Sequence, residues 1–94
     1  MAKRTDANQT EIVKTFRSLG ASVLILSSVG KGCPDLMVGI FGRNFLVEVK
    51  DGKKPPSGRK LTEHEQLFFD GWKGQVCVVK SPDEAISLLQ CNKI

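Results

Sequence analysis

Cys33-Pro34-Asp35-Leu36-Met37-Val38-Gly39-Ile40-Phe41-Gly42-Arg43-Asn44-Phe45-Leu46-Val47-Glu48-Val49-Lys50 is the stretch whose reading decides the fold. Two apolar runs, residues 36–41 and 45–50, flank Gly42-Arg43-Asn44. A glycine followed by a polar residue between such runs predicts a tight hairpin. With Gly42 and Arg43 as a type II′ loop, Phe41 faces Asn44, Asp35 faces Lys50 and Glu48 faces Met37. Strand side chains alternate, so Asp35, Glu48 and Lys50 share one face, and Phe45, Val47 and Val49 fill the other. Two carboxylates and an ammonium on one face of an otherwise apolar hairpin call for a chemical reason.

Upstream, residues 6–19 predict a helix. Ile12, Phe16 and Leu19 form its apolar stripe and Gly20 its stop. Glu11 sits about 100° from Ile12 around the helix, on the shoulder of the stripe. There it is either a solvated charge or a side chain looking over the helix edge towards the sheet. Residues 21–27 predict a short strand, apolar enough to be central in the sheet. In the loop Ser28-Val29-Gly30-Lys31-Gly32-Cys33-Pro34 the glycines let the backbone turn sharply before Asp35. No P-loop pattern is present. Lys31 is a solvated lysine or a phosphate contact.

Downstream, Asp51-Gly52-Lys53-Lys54-Pro55-Pro56-Ser57-Gly58-Arg59-Lys60 predicts a mobile, exposed loop. Its basic residues, Lys53, Lys54, Arg59 and Lys60, make it either a plain connection or an arm that lies along a nucleic-acid backbone. Thr62 and Glu65 have capping-box spacing, so a second helix starts at Thr62. Phe68, Phe69 and Trp72 provide its core face, and Gly74 ends it. Residues 75–79 predict a fourth strand. Ser81-Pro82-Asp83-Glu84 opens a last helix with apolar Ala85, Leu88 and Leu89. The order αβββαβα describes an α/β fold, a mixed four-stranded sheet with helices packed against it, as one domain over 1–94.

The 94 residues suit one core, with 40% hydrophobic and 26% charged residues. No apolar run is long enough to span a membrane, and the amino-terminal residues lack the apolar segment of a secretory signal, so a cytoplasmic protein is expected. A net charge of +4 favours a polyanionic partner such as nucleic acid. Cys33, Cys77 and Cys91 are odd in number and lack C-x-x-C spacing. That argues against a disulfide framework and against structural zinc. With His64 the single histidine, a metal would be held by oxygen, which points to magnesium or manganese.

Neighbouring side chains on adjacent strands stand about 4.5–5.5 Å apart, and diagonal ones about 7–8 Å, so Asp35 and Glu48 can reach one divalent ion. Such an ion polarises a phosphodiester and activates water, and Lys50 beside it can orient water or stabilise developing charge. The plainer reading is a cross-strand Asp35–Lys50 ion pair with Glu48 solvated. A surface pair of that kind is worth at most about 1 kcal/mol.

Pro34-Asp35, with Glu48-Val49-Lys50 thirteen positions on, resembles the PD-(D/E)XK nuclease signature, and the order of elements resembles that superfamily's restriction-endonuclease-like core. More narrowly, Gly32-Cys33-Pro34-Asp35-Leu36, Val47-Glu48-Val49-Lys50 and Leu61-Thr62-Glu63-His64-Glu65-Gln66 resemble the VRR-NUC group, which has stand-alone phage and bacterial members of this size. The resemblance implies that Asp35, Glu48 and the Val49 carbonyl bind the metal and that Lys50 is the catalytic lysine. It further implies that Glu11 contacts the metal directly or through water and that Gln66 orients the site or DNA. It also implies a metal-dependent, homodimeric endonuclease selective for branched DNA such as four-way (Holliday) junctions. Two other readings stand beside it: a non-catalytic basic DNA-binding module on the same fold, and a protein-interaction domain with a chance motif.

Overall fold

The computed structural model describes residues 7–93. The elements are α1 (Ala7–Ser18), β1 (Ser22–Ile25), β2 (Leu36–Ile40), β3 (Arg43–Val49), α2 (Glu63–Gly71), β4 (Val76–Val79) and α3 (Pro82–Asn92). The sheet order is β1-β2-β3-β4, antiparallel for the first two pairs and parallel for β3 with β4. A parallel neighbour needs a crossover, and α2 is the helix in that connection. The αβββαβα order and mixed sheet agree with the sequence reading.

The hairpin loop lies one residue earlier than the glycine pattern predicts. Ile40 faces Arg43, Val38 faces Phe45 and Leu36 faces Val47, so the two loop residues are Phe41 and Gly42. Both have positive φ, 58° and 73°, the type I′ pattern whose twist suits the flanking strands. Gly42 tolerates this freely, whereas Phe41 is a bulky residue in the left-handed region and is left exposed. The ladder is displaced by two positions, so every side chain keeps its expected face. What changes is the partner: continuing the register one step places Asp35 opposite Glu48, not Lys50.

One face of the sheet carries the core. Ile12, Val13 and Phe16 of α1 pack with Leu36, Val38, Phe45, Val47, Val49 and Val79 and with Ala85 and Leu89 of α3. Truncating a buried aromatic such as Phe16 costs about 3–5 kcal/mol, a large share of the roughly 5–15 kcal/mol that holds a small domain folded. Leu19, expected in the stripe, is exposed because it lies beyond the last helical residue, where Gly20 (φ 93°) turns the chain.

Strand β1 is an edge and not a central strand, with Leu24 63% exposed. Its apolar density reflected composition, but strand order is set by how β4 joins the far side of β3. The loop after β3 is also more ordered than its composition suggests. Lys53 N donates to Asp51 Oδ1, Pro56–Gly58 forms a 3-10 turn, and Arg59 Nη1 donates to the Gly52 carbonyl. No helix among the described residues is long and apolar enough to cross a membrane. Cys77 and Cys91 carry free thiols, and burial pushes that of Cys77 up to about 11.

Candidate active site

The second face of the sheet carries Asp35, Glu48 and Lys50 beneath α2. Alternation along β3 dictates this: Phe45, Val47 and Val49 are spent on the core, so Leu46, Glu48 and Lys50 must turn the other way. Asp35 is 4% exposed and Glu48 2%. Asp35 Oδ2 accepts from the Val49 N–H at 2.9 Å, which locks the aspartate onto the strand that bears Glu48. In a strand the N–H and C=O of one residue leave the same edge, so the Val49 carbonyl also leaves on the Asp35 side.

Lys50 Nζ donates to Glu65 Oε1 at 2.7 Å and lies 3.5 Å from Glu48 Oε2. Glu65 Oε1 also accepts from the Thr62 N–H at 2.8 Å, while Thr62 Oγ1 accepts from Glu65 N, completing the capping box. One carboxylate therefore starts α2 and holds the lysine. The Asn8 amide donates to the Lys50 carbonyl at 2.7 Å and to the Lys80 carbonyl at 3.4 Å, fastening α1 to the ends of β3 and β4. Gly32 brings the preceding loop against α2. A β-carbon there would drive into the His64 carbonyl, and φ is 79°.

The charges are arranged unequally. Burial, the neighbouring Asp35 carboxylate and a hydrogen bond to Glu65 push the Glu48 carboxyl up to about 9, against the opposing pull of Lys50. Glu65 is different. Burial would raise it, but hydrogen bonds from Lys50, Thr62 and Glu48 hold it down to about 2. The two carboxyls are thus displaced in opposite directions, Glu48 towards its protonated form and Glu65 towards its charged one. Among the described residues Glu48 Oε1 is buried with no hydrogen-bond partner, and such an atom is costly unless something is meant to meet it.

Two buried carboxylates side by side, one with an orphan oxygen, fit a divalent cation bound through hard oxygen donors. Among the described residues no three His, Cys, Asp or Glu side chains gather into a metal cage, so a cation here would take its side-chain donors from this pair.

Two sequence-predicted residues are not brought to the pair. Glu11 is on the exposed side of α1, because Ile12 and Phe16 fix which side faces the core. It lines a cleft of about 320 Å³ with Asn8, Asp51, Lys53, Arg59 and Lys80. Gln66 is exposed and its amide donates to Asp70 Oδ1 at 2.8 Å. Its neighbour Glu65, 7% exposed, occupies the site instead. One residue is about 100° of helix, and the capping-box spacing from Thr62 was the signal that pointed to Glu65. Lys31, Lys53, Lys54 and Lys60 are exposed, while Arg59 is half-buried and tied to the loop backbone.

No family model matches the sequence, and no curated protein does. A solved structure described as a VRR_NUC domain is 35% identical, with 87% of this chain and 89% of that chain covered and a TM-score of 0.57. At that identity over nearly the whole length of both, the chain belongs to the VRR-NUC family, a nuclease-type domain of the PD-(D/E)XK superfamily.

Proposed function

We propose that this domain is a divalent-metal-dependent endonuclease that hydrolyses phosphodiester bonds in DNA. The observation that carries the reading is the buried Asp35–Glu48 pair with its unpartnered Glu48 Oε1. Asp35 and Glu48, with the Val49 carbonyl, would hold magnesium or manganese, which neutralises phosphate charge and activates water. Asp35, pinned by the Val49 N–H, presents its carboxylate without rotamer freedom. Lys50 donates towards the charge that builds on the phosphate oxygens, the place where a fixed cation gains most. Glu65 is the positioning residue: its 2.7 Å contact decides where the ammonium stands.

Exposed Lys31, Lys53, Lys54 and Lys60 supply the sequence-independent attraction to the DNA backbone. Preference for branched DNA such as a four-way junction, and action as a homodimer, follow from the family resemblance and complete the proposal. A two-fold dimer is the simplest way to place paired cuts in a symmetric junction. The test is cleavage of a four-way junction and of its linear arms with magnesium or manganese. The reading expects cleavage that Asp35→Ala and Lys50→Ala abolish. Cleavage that survives both substitutions would refute the assignment of these residues.

A further inference from the structure

On the same face as Glu48, two residues back along β3, Leu46 and its cross-strand partner Met37 form the apolar floor of a cleft of about 260 Å³. Trp72 makes one wall, and Asn44, Gly74 and Gln75 complete the lining. Trp72 ends α2, with one ring face stacked on Phe68 at a centroid distance of 5.2 Å and 16° between planes. It is nevertheless 45% exposed. Helical spacing predicted burial for these aromatics. Instead α2 is short and ends over the sheet, so the outermost ring of its aromatic face is left uncovered.

The lining fits a nucleobase. The floor is apolar, the wall is an aromatic ring already backed by a second ring, and two carboxamides stand at the rim. Gln75 Nε2 donates to the Asn44 carbonyl at 3.1 Å, which holds that side chain in place. None of the lining residues is acidic, and exposed Lys73 lies in the chain between Trp72 and Gly74. Two residues along a strand are roughly 7 Å, so a base in this cleft belongs to a nucleotide close to the phosphate beside Glu48. Bases in a duplex are already stacked on each other; only an unpaired one can use such a ring.

We propose that the Trp72 cleft is a stacking site for an unpaired base of the DNA substrate. The site rests on the nuclease reading for its partner and extends it: it gives this chain a physical means of favouring DNA with an unpaired nucleotide over continuous duplex.

Trp72 is the single tryptophan of the chain, so intrinsic fluorescence reports on this cleft alone. The experiment compares a single-stranded oligonucleotide of natural bases with an equally long strand of abasic sugar–phosphate units, in buffer free of divalent ions. The expected result is that the natural strand quenches the emission and binds about tenfold more tightly than the abasic one. Trp72→Phe should keep most of that ratio, and Trp72→Ala should erase it without changing the affinity of the abasic strand. Equal affinity for both strands, or a ratio that survives in a folded Trp72→Ala variant, overturns the site. Emission that responds to protein concentration and not to DNA also overturns it, in favour of a second copy on this face. Metal-dependent cleavage of any DNA by the same preparation tests the nuclease reading separately. Cleavage without a base-to-abasic ratio removes the stacking site alone, and a ratio without cleavage removes the nuclease reading alone.

Discussion

Glu65 Oε1 accepts from Lys50 Nζ at 2.7 Å and from the Thr62 N–H at 2.8 Å, so the residue that caps α2 also fixes the lysine of the site. These two duties can be separated by substitution. Glu65→Gln keeps a side chain able to complete the capping box but removes the charge that holds Lys50. Its stability should change by less than about 1 kcal/mol while DNA cleavage falls by at least about tenfold. Glu65→Ala should lose both, with about 1 kcal/mol of stability from the cap. Thermal melts and single-turnover cleavage on the two variants check this.

The pH dependence follows from the opposite displacements of Glu48 and Glu65. Glu48 is raised on folding to about 9. Its contribution is therefore fully present below the ordinary carboxylate value and is lost as pH rises through about 9. Glu65 is lowered to about 2, so its contribution is present above the ordinary value and is lost as pH falls towards about 2. Without divalent ions the melting temperature should fall by about 5 °C or more between pH 5 and pH 9. Glu48→Gln, which carries no proton to lose, should flatten that slope.

Gly32 lets the β1–β2 loop meet the first turn of α2, with no room for a β-carbon before the His64 carbonyl. Gly32→Ala should push the start of α2 away and strain a residue at φ 79°. The expected loss is about 1–3 kcal/mol of stability, together with cleavage reduced more than the stability change explains, because Glu65 moves with α2. Cleavage measured well below the variant's melting temperature separates the two effects.

The basic residues after β3 should behave in two classes. Lys53, Lys54 and Lys60 are exposed, and replacing each by Ala should weaken binding to all DNA sequences alike and reduce the salt slope of affinity by about one. Arg59 donates to the Gly52 carbonyl, so Arg59→Ala should loosen the loop as well as remove charge. Affinity measured against salt concentration distinguishes them.

How much of this was legible beforehand depended on the kind of physics involved. The shared face of Asp35, Glu48 and Lys50 was readable because alternation along a strand is local, and an error of two positions in register leaves parity intact. The loop itself was misread, because the choice between Gly42-Arg43 and Phe41-Gly42 turns on whether Phe41 accepts a positive φ, which depends on strand twist. The edge position of β1 was not readable, since strand order is a long-range outcome. Thr62 as N-cap was, and its partner Glu65 followed from spacing. That the same carboxylate reaches Lys50 depends on how α2 docks over the sheet, which spacing along the helix does not give. Where Glu11 points was not readable for a related reason: a shoulder position on a helix points wherever the docking angle sends it.

The proposed cation site is the Asp35–Glu48 pair, where burial and the neighbouring Asp35 carboxylate push the Glu48 carboxyl up to about 9. Calorimetric titration with magnesium or manganese at pH 7.5, repeated in buffers of different ionisation enthalpy, counts the protons released on binding. The expected result is binding with release of about one proton per ion, and loss of both binding and release in Glu48→Gln. Binding that releases no proton, or that persists unchanged in Glu48→Gln, overturns the proposed site.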